Sequence, residues 1–471
     1  MTVDWDRPLP DPLGPTRFHY AGLGGSGMSA LAQFHLWAGG RVSGSDRSFD
    51  RGEQTELRAY FERLGIAIYP QDGSGVSGCG ALLVSTAVEA QVPDRVAARA
   101  QGVPVFHRAQ LLAHFVAQQR GIAVAGTSGK STVAALIFEL LRGAGRQPSL
   151  INGAALVALQ RAGGCGNAYR GGSDLLVVET DESDGSLVRY RPAIGVLLNL
   201  DKDHKEVHEL QEMFAAFCAH TREALVVGES DRLAALARAA CVFGFGPQAA
   251  VRGRHLELGP QGCRFEVDRV RFDLPLPGLH NVENALAAIA VCRVLGAELP
   301  DLVRPLADFQ GVARRFQSLG SAGGVEVVDD FAHNPTKLQA AIRTAKLRSR
   351  RVLAVYQPHA FAPTRFLRAE LVAGLAAALG GEDRLWLLEI YYAGGSAQRD
   401  FSAAEIAREI AAQGIATEFA PSRPWLLERI AGLARAGDLV LVMGARDPSL
   451  STLAGDILRA LATRADELER R

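Results

Sequence analysis

The chain uses lysine sparingly, with five lysines against 46 arginines, and Lys130 is the only lysine before Lys202. It sits in the stretch 122–138, IAVAGTSGKSTVAALIF. A short apolar, β-branched run leads into the turn Gly126-Thr127-Ser128-Gly129. Lys130-Ser131-Thr132 follows, with apolar residues at 133, 136, 137, 140 and 141. This spacing predicts strand, glycine turn and helix, a shortened form of a phosphate-binding loop. Gly126 and Gly129 let the backbone turn tightly and present its amides to an anion. The start of the helix adds partial positive charge. Lys130 supplies a mobile charge for outer phosphates, and Ser131 a hydroxyl for a magnesium ion. The plain alternative is a packing turn that happens to end in Lys-Ser. A lysine kept in an arginine-rich chain argues against it.

Candidate metal ligands stand at two further predicted strand ends. The run 174–178 leads to Glu179-Thr180-Asp181-Glu182-Ser183-Asp184, either a cation site or a solvated turn. A parallel sheet places ligands at the carboxyl ends of its strands, which favours Glu179 as a magnesium ligand. The run 193–198 leads to Asn199-Leu200-Asp201-Lys202-Asp203-His204, where His204 could ligate through neutral imidazole. A second glycine turn, Gly22-Leu23-Gly24-Gly25-Ser26-Gly27, lies between a strand at 17–21 and a helix at 30–38. Asp46 ends the next strand, at the spacing of an acid that meets a ribose. The pair predicts a nucleotide diphosphate site. Asn281 or Asn284 could cap an Ala-rich helix running to about 295, and Arg314-Arg315 suits phosphate.

The elements that must hold these residues alternate, strand and helix, along 471 residues. Such alternation implies open, mostly parallel sheets, and the length suggests about three domains. Boundaries fall at 1–118, 119–318 and 319–471. Hydrophobic content of 48% supports real cores. A formal net charge of zero gives no footprint for nucleic acid or an anionic membrane. Six scattered cysteines without a C-x-x-C pair read as reduced thiols in a cytoplasmic protein. The acidic, proline-rich start reads as disordered and is no signal peptide, and no run is long enough to span a membrane.

Taken in order, GLGGSGMSALA, AGTSGKST, VETDESDGS, NLDKDH, GLHNVENALAA, GVARRF, DDFAHNPT and YQPHAF resemble the Mur ligases of peptidoglycan synthesis, most nearly their alanine-adding branch. The resemblance runs from about residue 18 to 450. It implies a Rossmann-like UDP-binding domain, a central P-loop ATPase domain and a C-terminal Rossmann-like domain. It also implies an ATP- and Mg2+-dependent ligase in which the carboxylate of UDP-N-acetylmuramate attacks ATP. The resulting acyl phosphate is then taken by a small amino acid, alanine in that branch. A monomer or homodimer is expected.

By matching motif positions, Gly24, Ser26, Gly27 and Asp46 would hold the UDP part. Gly126, Thr127, Gly129, Lys130, Ser131 and Thr132 would hold the triphosphate, with Ser131, Glu179 and His204 on magnesium. Lys130, Glu179, His204 and His333 would form the catalytic set. His280 and Asn281 would approach adenine, Arg315 and Asp330 the nucleotide, and His333 the amino acid. No lysine lies between Lys205 and Lys337, so the carbamylated lysine of several sister ligases has no counterpart there, in keeping with the alanine-adding branch.

The chain departs from the family in three places. Ser128 replaces a histidine, Ala332-His333-Asn334 replaces Gly-His-His, and Ala360 and Pro363 replace two arginines expected near the amino-acid carboxylate. Arg365 could substitute from one turn away. Other readings are a ligase that recycles a preformed tripeptide, a Mur-type ligase for another carboxylate, and a catalytically silent nucleotide-binding regulator.

Overall fold

The computed structural model describes residues 3–200, 207–236, 240–392 and 399–469. His204 lies outside the described residues. The chain divides into two compact bodies, Met1–Leu258 with Gly262–Val312, and Gly259–Gln261 with Ala313–Arg471.

The first body holds two large sheets. Strands β1 (Arg17–Ala21), β2 (Arg41–Ser45), β3 (Ala67–Tyr69), β4 (Cys79–Val84) and β5 (Val105–His107) form a parallel sheet in the order β3-β2-β1-β4-β5. Strands β6 (Arg120–Ala125), β7 (Ser149–Ile151), β8 (Ala168–Tyr169), β9 (Leu175–Glu179), β10 (Ile194–Leu197), β11 (Ala224–Gly228), β12 (Cys241–Gly244) and β13 (Val251–Arg252) form the second. Its order is β13-β12-β11-β10-β6-β9-β7-β8. Only the edge strand β8 runs antiparallel in it. A small antiparallel sheet of β14 (Arg254–Leu258), β15 (Cys263–Val267) and β16 (Val270–Leu274) follows.

The register of the second sheet sets the site. Val124 on β6 pairs with Glu179 on β9, and Ala125 pairs with Leu197 on β10. The glycine turn, the acidic turn and Asn199 therefore leave neighbouring strands at one edge, as parallel strands with right-handed crossovers require. Strands β6, β9 and β10 are near-continuous apolar runs because helices cover both faces. The helix Lys130–Gly143 packs on Leu279–Val294, with Leu136, Ile137, Phe138, Ala287, Ala288 and Val291 fully buried.

The second body holds β17 (Gln317–Ala322), β18 (Val325–Asp330), β19 (Arg351–Tyr356), β20 (Arg384–Leu387), β21 (Thr417–Phe419) and β22 (Asp438–Met443). They are ordered β17-β18-β22-β19-β20-β21 and parallel except for β17.

Two expectations are corrected. The helix at 279–294 starts at Leu279 behind Gly278, so Asn281 and Asn284 lie inside it and cap nothing. Their amides are used within the turn: Asn281 Nδ2 donates to Pro277 O at 2.8 Å, and Asn284 Nδ2 to Asn281 Oδ1 at 3.3 Å. The N-terminal segment from Val3 is also tied down rather than loose. Trp5 lies 4.9 Å from the His107 ring with the Arg189 guanidinium over it, and Pro12 O meets His35 Nε2 at 2.6 Å. A proline-rich segment has no periodic pattern to reveal it, yet its carbonyls and aromatic ring still bind a folded surface.

Candidate functional site

The turn after β6 is built as the spacing predicts. Gly129 stands at φ +85°, a backbone open to glycine, and a Cβ there would come 2.4 Å from Asn284 Oδ1. Lys130 opens the helix, and no side chain caps its amides. Thr127, Ser131 and Thr132 are buried in the turn. Asn199, at the tip of β10, fastens it. Its Oδ1 accepts from Thr127 Oγ1 and from Ser128 N, both at 2.9 Å, and its Nδ2 donates to Ser128 O at 3.1 Å. Sequence reasoning gave Asn199 no role. The available signal was its place directly after an apolar strand that neighbours the lysine-bearing turn.

Lys130 Nζ donates to Gly126 O at 2.8 Å and to both oxygens of Glu182, at 3.0 and 2.7 Å. Glu182, not singled out among the four acids, is therefore the partner of the lysine. Burial pushes its carboxyl up from the ordinary range, opposed by the charge of Lys130. The acidic run is not a solvated turn, because each acid has its own partner. Glu179, at the tip of β9, takes the amide of Gly153 on Oε2 at 2.7 Å. Asp181 accepts from Ser183 N and Oγ, and lies 3.4 Å from Arg108 Nη2. Burial is the largest influence on the Asp181 carboxyl and works upward. Its Ser183 bonds and the charges of Arg108 and Lys130 outweigh that and hold it below the usual range. Asp184 is buried, 3.6 Å from Arg108 and 3.9 Å from His107 Nε2.

The first glycine turn lies in the same body. Its helix begins at Ser26 behind Gly25, again without a side-chain cap. Asp46 closes this turn: Oδ2 accepts from Gly24 N at 2.9 Å and Oδ1 from Ser48 N at 2.9 Å. A Cβ on Gly27 would lie 3.0 Å from Arg108 Nη1. Arg108, which sequence reasoning missed, thus stands against the glycine turn while pairing with the acidic turn. Its only sequence signal was a place at the start of the helix after β5. Ser26 is tied to the second sheet's side through Asn167, whose Nδ2 donates to Ser26 O at 2.9 Å.

Residues expected to act from the second body are held as follows. Asp330, at the tip of β18, accepts from Phe316 N and Ala332 N, both at 2.7 Å, and burial raises its pKa to about 6 against those bonds. Both guanidinium groups of the arginine pair lie over the Phe331 ring, Arg314 at 5.2 Å and Arg315 at 4.9 Å, and Arg314 also donates to Gly444 O at 2.5 Å and Ala445 O at 3.2 Å. His333 Nδ1 meets Phe331 O at 2.9 Å, and its ring stands edge-on to His359 at 5.3 Å. Asn334 caps the helix Pro335–Arg348. Arg365 pairs with Asp400 and lies over the Phe401 ring at 5.3 Å. Its charge is therefore already matched, which weakens it as the expected replacement for the missing arginines. Ala360 stands at φ +59°, and His280 in the first body is exposed.

Three family models match the chain in succession: Mur ligase family, catalytic domain, at residues 17–120; Mur ligase middle domain at 124–292; and Mur ligase, glutamate ligase domain, at 314–446. The chain is 35% identical over 480 residues to the UDP-N-acetylmuramate--L-alanine ligase of Phenylobacterium zucineum (strain HLK1), covering 94% of each. The enzyme of the same name from Renibacterium salmoninarum is 36% identical, over 96% of this chain and 97% of that one. The chain belongs to the Mur ligase family.

Among solved structures this Mur ligase is similar to the UDP-N-acetylmuramate-alanine ligase MurC of Thermotoga maritima, with a TM-score of 0.78 at 24% identity, covering 97% and 99% of the two chains. A murein peptide ligase from Psychrobacter arcticus 273-4 gives 0.70 at 20% identity, covering 95% and 99%. The MurF ligase of Thermotoga maritima, solved in complex with ADP, gives 0.56 at 18% identity, covering 83% and 90%. These likenesses show the three-domain α/β fold. No helix among the described residues is long and apolar enough to cross a membrane.

Proposed function

We propose that this Mur ligase joins L-alanine to the carboxylate of UDP-N-acetylmuramate at the expense of ATP, as the names of its relatives describe for them. The observation that carries the reading is the lysine-bearing glycine turn, fastened by Asn199 beside the carboxylate tip of β9. A carboxylate oxygen attacks the γ-phosphorus and the bond to ADP breaks. The amine nitrogen then attacks the acyl carbon, loses its proton, and phosphate leaves with the C–O pair. Two anions must meet, so the first step needs fixed positive charge. Gly126, Thr127, Gly129, Lys130, Ser131 and Thr132 surround the triphosphate in this proposal. Gly24, Ser26, Gly27 and Asp46 take the UDP part, and the domains divide at 1–118, 119–318 and 319–471.

Magnesium fits the residues present. Ser131 and Glu179 are hard oxygen donors on adjacent turns, and the Gly153 amide fixes Glu179 Oε2 while no hydrogen bond among the described residues holds Oε1. Among the described residues no three His, Cys, Asp or Glu side chains gather as a cage. Magnesium is commonly bound through one or two carboxylates together with substrate phosphates. Such an ion supplies charge neutralisation to the transferring phosphoryl group. His204 joins this set by its place after the run 193–198 and by the resemblance. His280 and Asn281 toward adenine, Arg315 and Asp330 toward nucleotide, and His333 and Arg365 toward the amino acid enter by the resemblance. The cytoplasm as location and a monomer or homodimer belong to the same reading.

The test is ADP release by the pure protein with UDP-N-acetylmuramate, ATP, magnesium and a panel of amino acids, with a preformed tripeptide included. Release with L-alanine is expected. Release with another amino acid alone, or with the tripeptide alone, would transfer the proposal to that acceptor. None with any acceptor would overturn it.

A further inference from the structure

The Lys130 ammonium has three N–H donors and no acceptor. All three are engaged, one by Gly126 O at 2.8 Å and two by Glu182, at 3.0 and 2.7 Å. A phosphate oxygen that binds this ammonium must take over one of those contacts. Gly126 O is backbone of the turn and cannot leave without dismantling it. Glu182 is a side chain on the facing turn, so it is the partner that gives way. It sits 6% exposed, and the lysine 14%, so the pair is little screened by solvent. The turn that carries Glu182 is itself held by charge. Arg108 pairs with Asp181 and Asp184 on either side of it, at 3.4 and 3.6 Å, and Asp184 Oδ1 accepts from Ser186 N at 2.9 Å.

We propose that Glu182 is a positioning residue for Lys130, competing with the triphosphate for its ammonium. Arg108 keeps Glu182 within reach by pinning the carboxylates next to it. Triphosphate binding is then weaker than the turn alone would give, because each binding event breaks a buried ion pair. This inference rests on the reading of Lys130 as a phosphate ligand.

The experiment measures the ATP dissociation constant of the full chain by calorimetry, for the parent, Glu182→Gln, Lys130→Ala and the double variant. Glutamine keeps the shape and one acceptor but drops the charge. Glu182→Gln should bind ATP about tenfold more tightly, the scale of a charge-assisted hydrogen bond lost to a competitor. In the Lys130→Ala background the same change should alter affinity less than twofold, because the contested group is gone. Equal or weaker binding by Glu182→Gln at an unchanged melting temperature overturns the proposal. So does equal tightening in both backgrounds, which would be a general field effect. Should Glu182→Gln fail to fold, Glu182→Asp keeps the charge at shorter reach and should bind ATP more tightly than the parent; no tightening overturns the proposal. Unchanged ATP affinity in Lys130→Ala alone overturns instead the phosphate-loop reading.

Discussion

The two glycine turns each join a strand to a helix, with Gly25 extended before one helix and Gly129 left-handed before the other, and they are fastened by different groups. At 22–27 a carboxylate closes the turn, with Asp46 taking the amides of Gly24 and Ser48, and the positive charge comes from Arg108 against Gly27. At 126–132 a neutral amide closes the turn, with Asn199 holding Thr127 and Ser128, and the positive charge is Lys130 within the motif itself. A carboxylate in the place of Asn199 would add negative charge at the turn, whereas the neutral amide fastens the backbone without adding charge; the carboxylate that does reach this turn, Glu182, is paired with Lys130. The first turn tolerates Asp46 because that carboxylate is satisfied by one amide of the turn, Gly24 N, and by Ser48 N and Oγ after it. The difference teaches that a strand–glycine–helix pattern specifies an anion-sized hollow. The side chain that fastens the hollow decides which anion it suits.

The largest expected effect breaks the second turn chemically. Lys130→Ala should lower turnover at least a hundredfold, as steady-state ADP release would record, since it removes charge from the transferring phosphoryl group. Turnover within a few-fold of the parent would take the lysine out of that step. Next comes the backbone. Gly129→Ala meets both a left-handed φ of +85° and Asn284 at 2.4 Å, while Gly24→Ala meets side-chain ends alone, Asp46 Oδ2 at 3.0 Å and Gln54 Nε2 at 3.3 Å. Denaturant unfolding should show the first change costing about 4 kcal/mol and the second about 1 kcal/mol. Equal costs would mean the turns are equally tight.

An acid effect is expected on the first turn's helix. Tyr20 Oη and Pro12 O hold His35 on that helix, and burial lowers its pKa to about 4. The helix Lys130–Gly143 contains no histidine. A depressed histidine pKa means that the folded state binds the proton less readily than the unfolded chain. Its contribution is therefore present above pH ~6.5 and is lost as the pH falls toward 4, by about 3 kcal/mol. The melting temperature of His35→Gln should fall less over that window than the parent's; parallel curves would remove His35 as the cause. The smallest effect is on the fasteners. Asn199→Ala should weaken ATP binding by about 1–3 kcal/mol and leave nucleotide-sugar binding unchanged, and Asp46→Ala should do the reverse. Calorimetry with each ligand separately decides whether the turns are independent.

The sequence alone carried the sheet-and-helix alternation, the lysine turn, and the strand ends bearing Glu179 and Asn199, because each is written in neighbouring residues. Short apolar runs and a glycine at a turn are local facts. It did not carry the start of the helix at Leu279, since Asn281 and Asn284 looked like caps and proved to be interior hydrogen-bonding residues. Nor did it show which of four adjacent acids would take Lys130, or that Arg108 would serve two turns at once. Those pairings join residues 52 and 73 positions apart. Their choice depends on which strand lies beside which and on the direction each side chain leaves its turn. Local chemistry follows from the order of residues along the chain, whereas a charge partner is fixed only when the sheet register places two distant turns side by side.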